Sequence, residues 1–598
     1  MKEMPPRALG ALAEDGGVRF RLWAPKAGRV DLLLDGAEPL PMARSADDTF
    51  EAFERVVPGL GAGARYRYRM DGGDAFPDPA SRFQPEGVHG PSSVVDPRTF
   101  RWRDDGWAGV PQDRWVFYEL HVGTFTPEGT FRAVIDRLDH LADLGVTCLE
   151  LMPVADFPGR WNWGYDQAAL YAPSRAYGTP DDLRALVDAA HARGLAVFLD
   201  VIYNHLGPDG AYAAAFAPFF TERHHTPWGA AINFDDAGSE GVRAFFIDNA
   251  LYWLREFHLD GFRLDATHAI LDDSETHFLD ALAVAVEGLR EGPRRYLVAE
   301  DHRNLNVLVR PRTRGGYGLD AVGADDFHHQ VRHLTAGDTD GYYADYAGTT
   351  AAELAVTLRQ GWFYDGRPSR RTGRPRGTDA SGVRRAQCVI CIQNHDQVGN
   401  RPAGERLHHQ IPLPQYRAAS ALLLLAPETP LLFMGQEWAA SSPFQFFTDH
   451  DGDLGPKVTE GRREEFKDFA GFHGEVPDPQ DPATFERSRL DWDDLRAPAH
   501  AGTLRLYRDL LRLRPELEGP VDAVPHGDRA LALRRGPHTL LVAFGGGTAL
   551  PLPEGAAPVW HTEQPGYTPE PQPPAVEGGT VRFAVPGAML VKDGGLGG

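Results

Sequence analysis

The stretch Gly261-Phe262-Arg263-Leu264-Asp265-Ala266-Thr267-His268 decides how the rest of the chain is interpreted. Its first four residues alternate in the manner of a short strand. Side chains two residues apart in a strand lie on the same face, so Arg263 and Asp265 are expected side by side at the strand's carboxyl end. The guanidinium group then keeps the carboxylate ionised, as a carboxylate nucleophile requires. Taken alone, an Arg-x-Asp pair is more often an ordinary structural salt bridge.

Length and composition limit the class of protein. The chain has 598 residues, which is too long for a single hydrophobic core and predicts two to four domains. Its formal net charge of −23 at pH 7 argues against nucleic acid or an anionic membrane surface as a partner. Residues 1–17 lack the apolar segment of a signal peptide, and no apolar run approaches the ~18 residues that span a bilayer. A cytoplasmic protein is expected.

The three cysteines, Cys148, Cys388 and Cys391, indicate a reducing compartment without a disulfide framework. Cys388 and Cys391 have the C-x-x-C spacing of redox and metal sites, but they lie in the apolar run Cys388–Ile392. In a strand, residues three apart point to opposite faces. Core packing is therefore the expected role of both.

The amino-terminal part, residues 1–110, is predicted to be a β domain followed by a linker. Val18–Trp23 and Arg65–Met70 alternate polar and apolar residues between turn-forming Gly, Pro and Asp residues, a pattern typical of antiparallel strands. The Pro-, Asp- and Gly-rich segment 78–111 forms the link to the next domain.

From residue 111 to about 518, strand-like runs alternate with helical ones. Eight strands are expected to end near Leu120, Met152, Asp200, Leu264, Ala299, Asp325, Ile392 and Phe433. Amphipathic helices are expected between several of them, at Phe131–Leu144, Pro180–Arg193 and Ser239–Phe257. Eight such units predict a (β/α)8 TIM barrel of the α/β class. The long third connection leaves room for an inserted subdomain at about 207–236, and residues 519–598 return to short strand-like runs that predict a carboxyl-terminal β-sandwich.

Polar side chains stand at the predicted carboxyl ends of the strands, where active sites of such barrels form. Asp200 and His205 follow the third strand, Glu300 ends the fifth, and Asn394-His395-Asp396 follows the seventh. A carboxylic acid at the end of an apolar strand is partly desolvated, which raises its pKa and suits a proton donor near neutral pH. Glu300 is therefore the candidate general acid.

These motifs, in this order, resemble those of the α-amylase family of glycoside hydrolases. The stretch around Asp265 resembles the family's nucleophile motif, Asp200–His205 its D-V-x-x-N-H element, and Asn394–Asp396 its N-H-D element. The resemblance implies a retaining mechanism in which Asp265 is the nucleophile, Glu300 is the acid and base, and Asp396 is the third carboxylate at the site.

The same resemblance implies a set of sugar contacts. Tyr165, in Trp163-Gly164-Tyr165-Asp166, is expected to stack on a sugar ring, and His395 to bind sugar hydroxyl groups beside Asp396. The remaining implied contacts are Arg263, His205 and His268. At the amino terminus, Phe20–Pro25 resembles the opening of the immunoglobulin-like β-sandwich that precedes the barrel in branching enzymes and isoamylases. A structural role is favoured for that domain, and glucan binding by it stays open.

Stretches outside these motifs resemble one group within the family, whose members cleave the α-1,4 bond next to a terminal trehalose unit. They are Asp325–His329, Asp340–Asp345, Asn394–Asn400, Phe433–Ala440, Pro443–His450 and Val476–Glu486. The resemblance implies malto-oligosyltrehalose, the product of a dedicated synthase, as the substrate. Trp228, Asp326 and His329 are the candidates for contacts with the trehalose end.

No cofactor and no metal are expected. His224-His225 are adjacent histidines on a loop and more often surface residues than ligands, and the inserted segment has no second cluster of oxygen ligands near Asn204. The alternatives are a glycogen branching enzyme, a general α-glucan hydrolase, and, in another class, a non-catalytic glucan-binding barrel. Such barrels usually lose a carboxylate, whereas Asp265, Glu300 and Asp396 are all present.

Overall fold

The computed structural model describes residues 8–45, 51–466 and 476–594. Its centre is a closed barrel of eight parallel strands that follow one another in chain order. The barrel strands, numbered here from first to eighth, are Phe117–Leu120, Cys148–Leu151, Ala196–Val201, Gly261–Leu264, Tyr296–Ala299, Ala321–Gly323, Cys388–Ile390 and Thr429–Phe433. Each ends within two residues of the predicted position, and the predicted (β/α)8 barrel is confirmed.

The barrel strands are buried on both faces, so their apolar runs are nearly continuous. An inner cluster that includes Trp115, Phe117 and Phe198 fills the end of the barrel away from the catalytic loops. Cys391 belongs to this inner cluster, whereas Cys388 packs in the main core outside it. The two sulfur atoms therefore point to opposite faces, as the strand alternation predicts.

Helices surround the barrel. Those of eight or more residues are Pro180–His191, Ser239–Glu256, Phe278–Glu287, Asp325–Ala336, Ala351–Gln360, Leu413–Leu425, Leu454–Glu465 and Pro498–Leu513. The shorter ones are Val122–Phe125, Phe131–Ile135, Leu138–Leu144, Ala213–Phe216, His395–Gly399, Leu407–Gln410 and Pro482–Arg487. The prediction of one helix over Phe131–Leu144 is wrong, because the N–H of Arg137 bonds to the carbonyl of Val134 at 2.9 Å and forms a tight turn there.

Two sheets form the amino-terminal β domain. One contains Gly10–Glu14, Gly17–Trp23, Ala52–Pro58 and Ala43–Arg44, and the other contains Leu40–Pro41, Val30–Leu34, Arg65–Met70, Ala75–Phe76 and Ser92–Ser93. Alternate residues of both sheets, such as Phe20 and Tyr66, meet in a shared core. This is the expected β-sandwich.

The carboxyl-terminal domain is also built from two antiparallel sheets. Its five-stranded sheet contains Val521–Pro525, Ala530–Arg535, His538–Ala543, Gly587–Asp593 and Ala556–His561, and its three-stranded sheet contains Thr548–Pro551, Thr580–Phe583 and Ala575–Glu577.

Two hairpins extend the loops at the carboxyl end of the barrel. Ala155–Asp156 pairs with Ala169–Pro173, and Phe220–Thr226 pairs with Gly229–Ile232 in the inserted segment. The second hairpin carries Trp228 at its turn. In the part of the chain that the structure describes, no helix is both long and apolar enough to cross a membrane.

Candidate active site

The Arg263 side chain organises the carboxyl end of the fourth barrel strand. Its Nη1 donates to both carboxylate oxygens of Asp200, at 3.1 and 2.9 Å, and to Oδ1 of Asp265 at 2.6 Å. The other oxygen of Asp265, Oδ2, accepts a 2.9 Å hydrogen bond from Asn204 Nδ2. The parallel register sets Asp200 directly opposite Arg263. Both oxygens of Asp265 are therefore held in place, in an ion pair that suits a nucleophile.

Glu300 lies at the end of the neighbouring fifth strand and is half-buried. Burial raises the pKa of its carboxyl group to about 8, with Asp265, Asp325 and Asp396 acting in the same direction and Arg263 opposing them. A carboxyl group with this pKa is protonated at neutral pH and can donate a proton. The geometry thus gives a carboxyl group held by Arg263 and Asn204 next to one that can donate a proton.

Asn394, His395 and Asp396 form the start of a short helix after the seventh strand. Asn394 caps it by accepting the N–H of Gln397. The Asp396 side chain is 41 % exposed and accepts from Asn400 Nδ2 at 3.1 Å, while the His395 ring is buried with its Nε2 3.4 Å from Asp396. Asp396 is therefore the open carboxylate of the site, and His395 is fixed behind it.

Tyr165, His205 and His268 complete the group of residues that the sequence motifs predicted. The hydroxyl group of Tyr165 donates to Asp200 at 2.7 Å, and its ring stacks on His395 at 5.3 Å. His205 Nε2 lies 3.0 Å from the carbonyl oxygen of Tyr165. His268 is partly exposed beside His302, with ring centroids 4.5 Å apart. All three lie on loops at the same end of the barrel as Asp265.

Asp326 and His329 do not face the site, contrary to the prediction from sequence. Asp326 is 0 % exposed. Its Oδ2 accepts from Asn304 Nδ2 and from two backbone N–H groups, and its Oδ1 accepts from Tyr346 and lies 3.8 Å from Arg376 Nη2, so protein groups surround both oxygens. His329 is buried under the Tyr346 ring, and burial lowers its pKa to about 3. Both residues support the loop above them.

Trp228 stays a candidate for sugar contact. Its indole ring is 50 % exposed and stacks on His205 at 4.6 Å with the rings 7° from parallel. One face of the indole is therefore held by the site while the rest is open to a ligand. Sugar rings bind well on exposed aromatic faces of this kind.

Sequence reasoning missed Asp325, which takes the position expected of Asp326. Asp325 is half-buried at the carboxyl end of the sixth strand, and burial raises the pKa of its carboxyl group to about 6, with Asp396 acting in the same direction. Its charge also acts on Glu300. The sequence signal for an acidic residue at this strand end was the doublet Asp325-Asp326. Which of the two carboxylates faces the active site depends on the backbone turn into the helix that begins at Asp325.

A cavity of about 440 Å³ lies next to His268, between the Trp228 hairpin and the loops that follow the fourth and fifth strands. It is lined by polar and apolar groups, among them His224, Asp273, His277, Arg303, Leu305 and Tyr317. Glu300, Asp265 and Asp396 do not line it, and His268 and Arg303 are the lining residues nearest to them in the chain. It is large enough for a sugar unit.

One group among the described residues has the composition of a metal site. Atoms of His224, Asp235 and Asp273 lie within 4.8 Å of one another. Arg223 lies 3.7 Å from Asp235 and 3.1 Å from Asp273. The Arg223 guanidinium thus provides a positive charge next to both carboxylates. The group connects the Trp228 hairpin with the loop after the fourth strand.

Comparison with known proteins agrees with the fold. Residues 93–219 match the family model of the α-amylase catalytic domain, and residues 8–95 match carbohydrate-binding module 48, the isoamylase amino-terminal domain. A Salmonella typhimurium crystal structure described as an α-amylase superposes with a TM-score of 0.89 at 40 % identity, covering 98 % of this chain and 100 % of that one. Fold and site together define a glycoside hydrolase of the α-amylase family.

Curated relatives narrow this class. A Deinococcus radiodurans protein named malto-oligosyltrehalose trehalohydrolase is 50 % identical over 86 % of this chain and 84 % of its own length. Proteins of the same name from Arthrobacter ramosus and Saccharolobus solfataricus are 45 % and 42 % identical, over 88 % and 85 % of this chain and 92 % and 87 % of theirs. The chain belongs to the malto-oligosyltrehalose trehalohydrolase family.

Proposed function

We propose that this protein hydrolyses the α-1,4 bond next to the terminal trehalose unit of malto-oligosyltrehalose and releases trehalose. The observation that carries the chemistry is the pair formed by Asp265, bound through both oxygens to Arg263 and Asn204, and Glu300, whose pKa burial raises to about 8. A fixed carboxylate beside a protonated carboxylic acid is the arrangement of a glycosidase.

In the first step, an Asp265 oxygen attacks the anomeric carbon of the glucosyl unit while Glu300 protonates the leaving glycosidic oxygen. The carbon–oxygen bond to the trehalose unit breaks, and a covalent glucosyl–Asp265 ester forms. The positive charge that develops on the sugar ring is stabilised by Asp396, whose 41 % exposed side chain is open to the substrate.

In the second step, the ionised Glu300 takes a proton from an incoming water molecule, which attacks the anomeric carbon and releases Asp265. The two inversions return the sugar to its original α-configuration. Tyr165 is proposed to stack on the reacting sugar, and the histidines His205, His268 and His395 to bind its hydroxyl groups or those of the next unit. Arg263 acts on the sugar indirectly, by holding Asp265.

The trehalose unit is proposed to occupy the leaving-group side, next to the cavity that begins at His268. Support comes from the polar groups lining that cavity and from the exposed ring of Trp228, whose hairpin also carries the lining residue His224. A site with fixed polar groups rejects a sugar of another shape because its own groups are then left unpaired, each at about 1–3 kcal/mol. Asp326 and His329 are not part of this proposal, because both are buried and neither lines the cavity.

We also propose the biological setting that this substrate implies. Malto-oligosyltrehalose is made by malto-oligosyltrehalose synthase, so the two enzymes would act in sequence. The cytoplasm is the proposed location, because all three cysteines are buried and unpaired, as expected in a reducing compartment.

Product analysis tests the substrate. Purified protein is incubated with malto-oligosyltrehalose and, separately, with a plain malto-oligosaccharide of equal length, and the products are separated by chromatography. Free trehalose with a strong preference for the trehalose-capped chain is expected. Equal hydrolysis of both chains would indicate a general α-glucan hydrolase, and branched products would indicate a branching enzyme.

A further inference from the structure

Two buried glutamates lie side by side beneath the site. Glu119 on the first barrel strand and Glu150 on the second are directly opposite each other in the parallel register, where neighbouring strands are about 4.8 Å apart. They are 2 % and 3 % exposed. Two carboxylates cannot both be ionised at this spacing in a buried position, so one of them must be neutral.

Glu119 is the ionised member of the pair. Its Oε2 accepts the backbone N–H of His395 at 2.9 Å, and its Oε1 lies 2.5 Å from His395 Nδ1. Both oxygens therefore accept hydrogen bonds from the same residue. In contrast, the structure records no hydrogen bond to the carboxyl group of Glu150 from any residue that it describes, and burial beside Glu119 raises the pKa of Glu150 to about 8.

The His395 ring lies between two carboxylates, with Nδ1 2.5 Å from Glu119 Oε1 and Nε2 3.4 Å from Asp396 Oδ2. The hydroxyl group of Tyr165 lies 2.8 Å from Nε2 of His395, but its single proton goes to Asp200 at 2.7 Å. Arg263 donates to both oxygens of Asp200, while burial raises the pKa of this carboxyl group to about 7. Each ring nitrogen thus faces a carboxylate, and this arrangement favours an N–H on both nitrogens and so the imidazolium form of the ring.

We propose that Glu119 is a positioning residue that holds His395 as an imidazolium against the reacting sugar, and that Glu150 beside it is kept neutral. An imidazolium donates to an acceptor with both nitrogens and carries a charge, so its hydrogen bonds are stronger than those of a neutral ring. Burial alone would make the ring neutral, but the anions Glu119 and Asp396 outweigh it and raise the pKa of His395 to about 9. This inference rests on the proposed contact between His395 and the sugar.

The groups that face His395 come from several elements. They are Glu119, Glu150, Tyr165, Asp200, Arg263, His121 and the adjacent Asp396. Burial and Arg263 oppose a charge on the ring, and burial lowers the pKa of His121 to about 4, which keeps that ring neutral. Asp396 and Glu119 favour the charge, and Glu119 is the buried anion that accepts a hydrogen bond from the ring itself.

The test compares Glu119→Gln with Glu150→Gln, two identical substitutions on facing residues. Glutamine has the shape of a neutral glutamic acid, so Glu150→Gln is expected to keep kcat and KM within about twofold from pH 5 to 9. Glu119→Gln is expected to lose on the order of tenfold or more in kcat/KM at pH 7. The alkaline limb of the wild type follows Glu300, whose pKa of about 8 is below that of His395. Glu119→Gln is expected to move this limb to lower pH, because His395 then loses its proton below pH 8.

A purely structural role for Glu119 would lower the melting temperature without moving the pH profile, and that result would overturn the proposal. Equal losses in both variants would overturn it too, because the two glutamates would then be equivalent. If Glu119→Gln does not fold, Glu119→Asp keeps the charge and is expected to keep the wild-type pH profile at a reduced rate. A shifted profile in Glu119→Asp would contradict the proposal.

The reacting sugar is the same glucosyl unit in both substrates. The contrast between the variants is therefore expected on malto-oligosyltrehalose and on a plain malto-oligosaccharide alike. If the wild type showed no preference for the trehalose-capped chain, the proposed substrate would be refuted, but the difference between Glu119→Gln and Glu150→Gln would remain. Failure of the proposed substrate and failure of the proposed role of Glu119 can therefore be told apart.

Discussion

The backbone N–H of Ala266 donates a 2.6 Å hydrogen bond to Oε2 of Glu300, so the residue directly after the proposed nucleophile holds the proposed acid. Ala266 has φ = 40°, a left-handed backbone that is unusual for a residue with a side chain. Strain of this kind persists where the surrounding structure requires it, often at active sites. The turn after Asp265 thus fixes the distance between the two carboxyl groups and leaves Oε1 of Glu300 as the oxygen that carries the proton.

Replacing either carboxyl group should remove catalysis and leave the fold intact. Asp265→Asn or Glu300→Gln is expected to lower kcat by about 10³-fold or more, because each group acts in the transition state. Steady-state kinetics on malto-oligosyltrehalose measures the loss, and thermal unfolding checks the fold. A variant with a tenth of the wild-type turnover would show that the roles are assigned wrongly.

Asp325 should influence the pH dependence of the reaction. Glu300 is active as an acid below its pKa of about 8, so kcat falls as the pH rises through that value. The negative charge of Asp325 raises this pKa, and Asp325→Asn is therefore expected to move the alkaline limb of the profile to lower pH. The exposed Glu275→Gln is the matched control for loss of one charge. An unmoved alkaline limb in Asp325→Asn would mean that its charge does not reach Glu300.

Asp326 should contribute to stability and not to substrate recognition. Asp326→Asn replaces a carboxylate that accepts from Asn304, Tyr346 and two backbone N–H groups, so one acceptor becomes a donor that faces donors. A loss on the order of 2–4 kcal/mol in the free energy of unfolding is expected. Urea denaturation measures it. If stability were unchanged while the preference for the trehalose-capped chain fell, the sequence-based assignment of Asp326 as a sugar contact would be right after all.

The outcome at positions 325 and 326 shows what sequence patterns predict and where they stop. The strand ends follow from alternation and spacing, and a barrel puts every strand end at one face. The choice of Asp265, Glu300 and Asp396 as the three carboxyl groups also needed the resemblance to the α-amylase family motifs. The choice between Asp325 and Asp326 does not, since it depends on the backbone angles at Ala324, where the helix begins. The contact between Glu119 and His395 joins residues 276 positions apart and appears only when the barrel closes.

A histidine network at the opposite end of the barrel should make stability depend on pH. His191 lies between Asp104 and Asp260, at 2.9 and 3.0 Å, and His258 also bonds to Asp104 at 2.9 Å. These partners lower the pKa of Asp104 from 3.8 to about 2 and raise that of His191 above 6.5. The contribution of Asp104 is therefore complete above about pH 3.8 and lost toward pH 2, and that of His191 is complete below pH 6.5 and lost as the pH rises.

Asp104→Asn is expected to reduce the loss of stability toward pH 2 and also the loss above pH 6.5, because it removes the anion that His191 and His258 share. The free energy of unfolding, measured in urea from pH 2 to pH 8, tests this. Asp139→Asn serves as the control, since Asp139 pairs with Arg193 on the surface with its side chain 78 % exposed. If both variants had the same pH dependence, the network would contribute nothing beyond an ordinary surface pair.

Trp228 should decide part of the preference for a trehalose end. Its ring is 50 % exposed at the turn of the inserted hairpin, stacked on His205 and next to the proposed leaving-group side. The wild type is expected to prefer malto-oligosyltrehalose over a plain malto-oligosaccharide by about 10²-fold in kcat/KM, and Trp228→Ala to lose part of that preference with little change on the plain chain. The control is Phe220→Ala, which removes another exposed aromatic ring, 38 % accessible, from the far end of the same hairpin. If both variants kept the full preference, the selectivity for trehalose would have to come from the polar groups of the cavity beside His268 and not from the hairpin.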